Sequence, residues 1–223
     1  MSSLIDAVIF DMDGLMVDTE PLAQRAWQQV LTAYGYTLDD ALYAQMIGRR
    51  TDQSAQMLLD ACPLPLTAVE LIQRKTEAFV AIRAAGVPMM PGLPELVAAL
   101  AARDIPWGVA TSSPQAHALA TLRQLQWEDV CQAVAAGDEV TQGKPAPDIY
   151  LLAAARMGMA PERCLALEDS APGCEAALAA GMQVVAVPNG FTKMADFSFV
   201  PLVVDSLHDV VAQLDVLVGG TAV

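Results

Sequence analysis

Positive charge is scarce in this chain: twelve Lys and Arg stand against 26 Asp and Glu, leaving a net charge of −14 over 223 residues. A nucleic-acid binder needs Lys and Arg clustered on one face, so that class is excluded. An anionic substrate is compatible only through a metal and a few local cations. Charged residues make up only 17% while apolar ones reach 54%, which excludes a disordered chain. Long apolar runs are missing as well. No stretch approaches the roughly 18 to 20 residues of a membrane span, and the start Met-Ser-Ser-Leu-Ile-Asp has neither the basic region nor the apolar core of a signal peptide. A cytoplasmic protein with no membrane partner is therefore expected. Cys62, Cys131, Cys164 and Cys174 form no Cys-x-x-Cys pair, which argues against zinc or dithiol chemistry and for reduced thiols. Internal repeats and low-complexity segments are absent.

What is present is organised around Asp11-Met12-Asp13-Gly14, which follows the apolar run Ala7-Val8-Ile9-Phe10. A short β-branched and aromatic run stopped by acids and a glycine reads as a buried strand that delivers two carboxylates to its carboxyl end. Open α/β sheets place their chemistry there. Side chains at i and i+2 of an extended segment point the same way, so Asp11 and Asp13 can flank one reacting centre. Two like charges so placed call for a cation. Alone, an Asp-x-Asp is also an ordinary loop or capping device.

From Thr19-Glu20-Pro21 to about residue 84 the pattern is helical throughout. One helix carries Leu22, Ala26, Val30 and Tyr34 at fourfold spacing and ends near Gly35; others cover 52–59 and 67–84. The last opens with a Thr67-x-x-Glu70 box, with Val69, Ile72, Phe79 and Val80 read as one apolar side. After the turn-rich joint Val87–Gly92, helices alternate with the strand patterns 107–110, 133–135, 165–167, 184–187 and 202–204. A final helix opens with a Ser206-x-x-Asp209 box. Repeated βα alternation predicts an α/β fold, a Rossmann-like doubly wound parallel sheet. Residues 18–84, too lightly cored to stand as an enzyme, read as an inserted α-helical cap; residues 1–17 and 85–223 form the catalytic core.

Three further sites fall at strand ends. Thr111-Ser112-Ser113-Pro114 reads as a helix start, with an N-cap serine and free amides and hydroxyls for a phosphate. Gly143-Lys144-Pro145-Ala146-Pro147-Asp148 places a lysine on a stiff loop as a point charge. Glu168-Asp169-Ser170 puts adjacent acids at the sheet edge, where Asp11, a Met12 or Asp13 carbonyl and Asp169 suit Mg²⁺, which takes oxygen ligands and keeps several waters. Each has a bland alternative: a plain helix start, a solvated lysine, acids that cap the next helix. Four strand ends all supplying the right residue type are harder to assign to coincidence.

These motifs, in this order and spacing, resemble the haloacid dehalogenase superfamily, specifically its helical-cap phosphatase branch, over nearly the whole chain. The resemblance implies that Asp11 attacks phosphorus to form an aspartyl phosphate and that Asp13 acts as acid and then base. It assigns Thr111 and Lys144 to the phosphoryl oxygens, Mg²⁺ to Asp11, Asp13, Glu168 and Asp169, and substrate contacts to Ser112 and Ser113. Gly48-Arg49-Arg50 resembles the substrate-reading cap loop and Lys75 a cap lysine of the phosphoglucomutase branch, with a solvent-facing role as the alternative for each. That branch also shares Lys144-Pro145-Ala146-Pro147-Asp148 and Glu168-Asp169-Ser170. Its cap-hinge histidine, however, aligns with Ala23 and its cap-loop arginine with Thr51, so hydrolysis ranks above mutase chemistry. The halide-releasing branch lacks the second aspartate, so Asp13 counts against it. The expected activity is hydrolysis of a small-molecule phosphate ester, of sugar or nucleoside type, by a monomer, with a dimer open. A β-phosphoglucomutase-like mutase and a non-catalytic partner-binding protein are the alternatives.

Overall fold

The computed structural model describes residues 5–47 and 51–219. They divide into two compact units, one running up to Val17 and resuming at Met89, the other Asp18–Pro88.

The first unit holds a parallel sheet of β1 (Ala7–Phe10), β2 (Trp107–Thr111), β3 (Val134–Ala136), β4 (Cys164–Glu168), β5 (Gln183–Ala186) and β6 (Leu202–Val203), in the order β3-β2-β1-β4-β5-β6. Its helices are α5 (Leu93–Ala101), α6 (Gln115–Leu125), α7 (Asp148–Met157), α8 (Ala171–Ala179) and α9 (Leu207–Gly219). This is the Rossmann-like α/β arrangement expected from the sequence. β1 is buried along its whole length because it is central and covered on both faces. The period of two assigns its side chains. Ala7 and Ile9 join Ile149, Tyr150 and Ala153 of α7 and Cys174 and Ala177 of α8 in one apolar cluster. Val8 and Phe10 point to the other face, where Phe10 meets Trp107 edge-on at 5.5 Å and Trp107 meets Trp127 at 6.0 Å. Full burial of a side chain such as Phe10 contributes about 1.5–3 kcal/mol. Phe10 is opposite Val109 of β2 and Leu167 of β4. Residue 11 therefore emerges between two neighbouring strand ends, at the point where the strand order reverses.

The second unit is helical: α1 (Glu20–Thr32), α2 (Asp40–Met46), α3 (Thr51–Ala61) and α4 (Ala68–Arg83). Leu22, Ala26 and Val30 of α1 are buried as their spacing requires, but the helix ends at Thr32, before Tyr34. The Thr67/Glu70 capping box is formed: the Glu70 amide donates to Thr67 Oγ1 at 3.3 Å and the Thr67 amide to Glu70 Oε2 at 2.8 Å. The buried side of α4 differs from the expected one. It runs through Leu71, Ala78 and Phe79, while Val69 and Val80 are exposed. At about 100° per residue, Val69 lies some 200° from Leu71 and cannot share its face. Among the described residues, no helix is long and apolar enough to cross a membrane.

Candidate active site

Three strand ends converge at the carboxyl edge of the sheet. Asp11 directly follows β1 and is fixed by its amide, which donates to the Leu167 carbonyl at 2.9 Å. Thr111 ends β2 and Glu168 ends β4, both buried. Lys144 arrives from the loop between β3 and α7. Its Nζ donates to Asp11 Oδ1 at 2.5 Å, Glu168 Oε1 at 2.6 Å and the Ala110 carbonyl at 3.1 Å. An ammonium has three N–H groups, and here each has an oxygen. The side chain is only 7% exposed, with the Tyr150 ring 5.1 Å from its nitrogen.

Burial alone would lower the Lys144 pKa. The adjacent Asp11 and Glu168 carboxylates outweigh it, so the net direction is upward and the lysine stays charged. Burial also pushes the Asp11 carboxyl up, to about 8; Lys144 opposes that shift and Glu168 adds to it. Two carboxylates face the one Lys144 ammonium, which holds its proton between them.

Glu168 is saturated. Oε1 accepts from Lys144 and from Tyr150 Oη at 2.9 Å; Oε2 accepts from the Ser170 amide at 3.0 Å and Ser170 Oγ at 2.9 Å. A Cβ on Gly173 would collide with this carboxylate, so the first turn of α8 has to carry glycine there. Neither acid caps α8. Ser170 does, accepting from the Gly173 amide at 3.2 Å.

Asp11, Glu168 and Asp169 are all buried and offer carboxylate oxygens within 4.8 Å of one another. Three carboxylates against the one ammonium of Lys144 leave two negative charges over. An all-oxygen donor set with that excess fits a hard divalent cation. The Met12 carbonyl accepts from the Met16 and Val17 amides, so of the two carbonyls considered from the sequence it is the one already engaged.

Asp13, half-buried, turns toward β2. Its Oδ2 accepts from Ser113 Oγ at 2.6 Å and Thr111 Oγ1 at 3.2 Å, and Thr111 Oγ1 accepts from the Ser113 amide at 3.0 Å. Ser113 is thus not the N-cap expected from the sequence. Pro114 is extended, with ψ 149°, and starts α6 one residue later. The Gln115 amide donates to Asp138 Oδ1 at 2.9 Å and is not open to an anion. Ser112 is exposed.

Lys75 belongs to the helical unit. Its nitrogen lies 4.7 Å from the Phe79 ring centre and 5.6 Å from that of Trp27. With Glu20, Tyr43 and Ser54 it lines a polar cavity of about 110 Å³, where Tyr43 Oη donates to Glu20 Oε2 at 3.0 Å. Gly48, Arg49 and Arg50 lie outside the described residues.

Two residues of the sheet-edge network were not among the sequence candidates. Tyr150 reads in sequence as an apolar position of a helix, and its hydroxyl contact with Glu168 has no periodic signature. Asn189 donates from Nδ2 to Asp169 Oδ2 at 2.8 Å. It stands just beyond β5, so the strand-end rule that selects Thr111 and Glu168 would also have found it.

The model for haloacid dehalogenase-like hydrolases matches residues 5–181. Fructose-1-phosphate phosphatase YqaB of Escherichia coli (strain K12) is 39% identical over 180 residues, covering 81% of this chain and 95% of that protein. The phosphorylated carbohydrates phosphatase of Thermotoga maritima is 34% identical over 179 residues, covering 80% and 83%. Among solved structures, that of CbbY from Rhodobacter sphaeroides in complex with phosphate aligns with a TM-score of 0.82 at 31% identity, covering 93% of this chain and 96% of that one.

Proposed function

This chain belongs to the haloacid dehalogenase-like hydrolases, and from that premise we propose that it is a Mg²⁺-dependent phosphatase of small phosphorylated metabolites, working through a phosphoryl group carried on Asp11. The observation that carries this reading is the Asp11 carboxylate, buried at the end of the central strand and held at 2.5 Å by a lysine that also grips Glu168. The phosphatases of E. coli and T. maritima named above point to sugar phosphates as the first substrates to try.

In this reading one Asp11 oxygen attacks phosphorus while the bond to the leaving oxygen breaks, and Asp13 gives that oxygen a proton. Asp13 then takes a proton from the water that cleaves the acyl phosphate and restores Asp11. Lys144 keeps Asp11 in place and, with Thr111, faces the phosphoryl oxygens as their negative charge rearranges. The Ser113 and Thr111 hydroxyls orient the Asp13 carboxylate. Asp11 and Asp169 would hold the magnesium ion, with the Asp13 carbonyl as a further donor and Glu168 beside them adding negative charge. When bound, the ion supplies positive charge that relieves repulsion between substrate and nucleophile. The helical unit, as the cap of this reading, carries the residues that select the substrate, Lys75 among them.

The test is phosphate release from a panel of sugar phosphates, nucleotides and phosphoglycolate, with ³¹P NMR of the products. We expect free phosphate in step with substrate loss, abolition by EDTA and recovery with Mg²⁺. An isomerised phosphosugar without matching free phosphate would establish the mutase instead. No turnover of any substrate would leave the hydrolase reading without support.

A further inference from the structure

The Asn189 side chain uses both of its ends. Nδ2 donates to Asp169 Oδ2 at 2.8 Å and to the Gly14 carbonyl at 3.0 Å. Oδ1 accepts from the Phe191 amide at 2.8 Å and the Thr192 amide at 3.1 Å. The Asn189 amide donates to Thr192 Oγ1 at 2.9 Å. Two N–H groups face the oxygen and two acceptors face the nitrogen, so the amide has one orientation that satisfies all four contacts.

This amide joins three loops, those following β1, β4 and β5. The fit is close. Gly14 has φ +95°, and a Cβ there would stand 2.5 Å from Asp169 Oδ2 and 2.9 Å from Asn189 Nδ2. The residue after Asp13 therefore cannot grow a side chain without displacing the carboxylate of Asp169 or the amide that holds it. A hydrogen bond to one carboxylate oxygen fixes the plane of the group.

We propose that Asn189 is a positioning residue for the divalent cation: through Nδ2 it holds the Asp169 carboxylate and ties it, by the Gly14 carbonyl, to the loop that carries Asp11 and Asp13. The proposal rests on the reading of the Asp11, Glu168 and Asp169 cluster as the metal site. A purely structural role in the 189–192 turn would reside in Oδ1 and the Thr192 hydroxyl, and that half can be disturbed separately.

The experiment is Mn²⁺ binding to the full chain by calorimetry or electron paramagnetic resonance, alongside Mg²⁺ activation of phosphate release. Asn189→Leu should weaken Mn²⁺ binding about 10- to 100-fold and raise the Mg²⁺ needed for half activation in parallel. Turnover at saturating Mg²⁺ should stay within about threefold, since the ion once bound restores the geometry. Thr192→Val, which alters the turn without touching Asp169, should leave Mn²⁺ affinity within about twofold. Circular dichroism checks folding, and Asn189→Ala replaces the leucine variant if that one fails to fold. Unaltered Mn²⁺ affinity in the Asn189 variant, or an equal loss in Thr192→Val, overturns the positioning role alone. An unsubstituted chain that binds no Mn²⁺ overturns the metal reading, and the positioning role with it.

Discussion

The sheet edge and the cavity of the helical unit are built from the same materials, a lysine, acids and aromatic rings, yet they close differently. Lys144 is 7% exposed and gives every N–H to an oxygen of β1's end, β2 or β4. Lys75 is half-buried against two rings and lines a polar cavity with Glu20 and Tyr43. Where every donor and acceptor is matched in a buried place, a substitution disturbs fold and chemistry together. Where a polar cavity remains, a substitution should disturb the fold less.

That contrast is sharpest for catalysis. Asp11→Asn should remove phosphate release altogether, because an amide cannot carry the phosphoryl group, while Lys75→Ala should act chiefly on KM. Steady-state kinetics of the two variants on one substrate decides the matter, and residual turnover of Asp11→Asn near the original rate would break the comparison. For stability, Lys144→Met leaves two buried carboxylates facing each other without their ammonium and should cost about 3–5 kcal/mol. Lys75→Met loses its contacts with the Phe79 and Trp27 rings and should cost less, about 1–2 kcal/mol; denaturant unfolding of both measures the difference. Tyr150→Phe lies between the two. It takes one donor from a buried carboxylate, and a loss of about 1.5–3 kcal/mol is expected in the same unfolding experiment.

The smallest effect lies at the start of α4. The Thr67 amide and hydroxyl hold the Glu70 carboxyl below its ordinary value. A depressed carboxylate adds stability that is present above its unfolded value, about 4.3, and is lost as pH falls through the folded one. The difference in melting temperature between Glu70→Gln and the unsubstituted chain should therefore be present at neutral pH and disappear on acidification below that range.

Much of the sheet unit was legible because its signals are local. Ala7–Phe10 is a continuous apolar run stopped by Asp11, and the same grammar marks Thr111 and Glu168, so parallel pairing alone brings these residues together. Periodicity served less well on α4, where Val69 and Val80 attract attention as apolar residues but the packing against α1 selects Leu71 and Phe79. The start of α6 was misplaced because Ser-Pro is a frequent helix opening, whereas here Ser113 gives its hydroxyl to Asp13. Tyr150 escaped for another reason: its part depends on a partner 18 residues away, and no short window of sequence holds both ends of such a bond. Asn189 lay within reach of the strand-end rule, just past β5.

Lys144 is bonded to groups from three strands that lie far apart along the chain, so its socket exists only once the middle of the sheet has assembled. A partly built sheet offers the proposed nucleophile no counter-charge, so recovery of turnover after dilution from denaturant should keep time with the joining of β1, β2 and β4, read without any spectroscopic label.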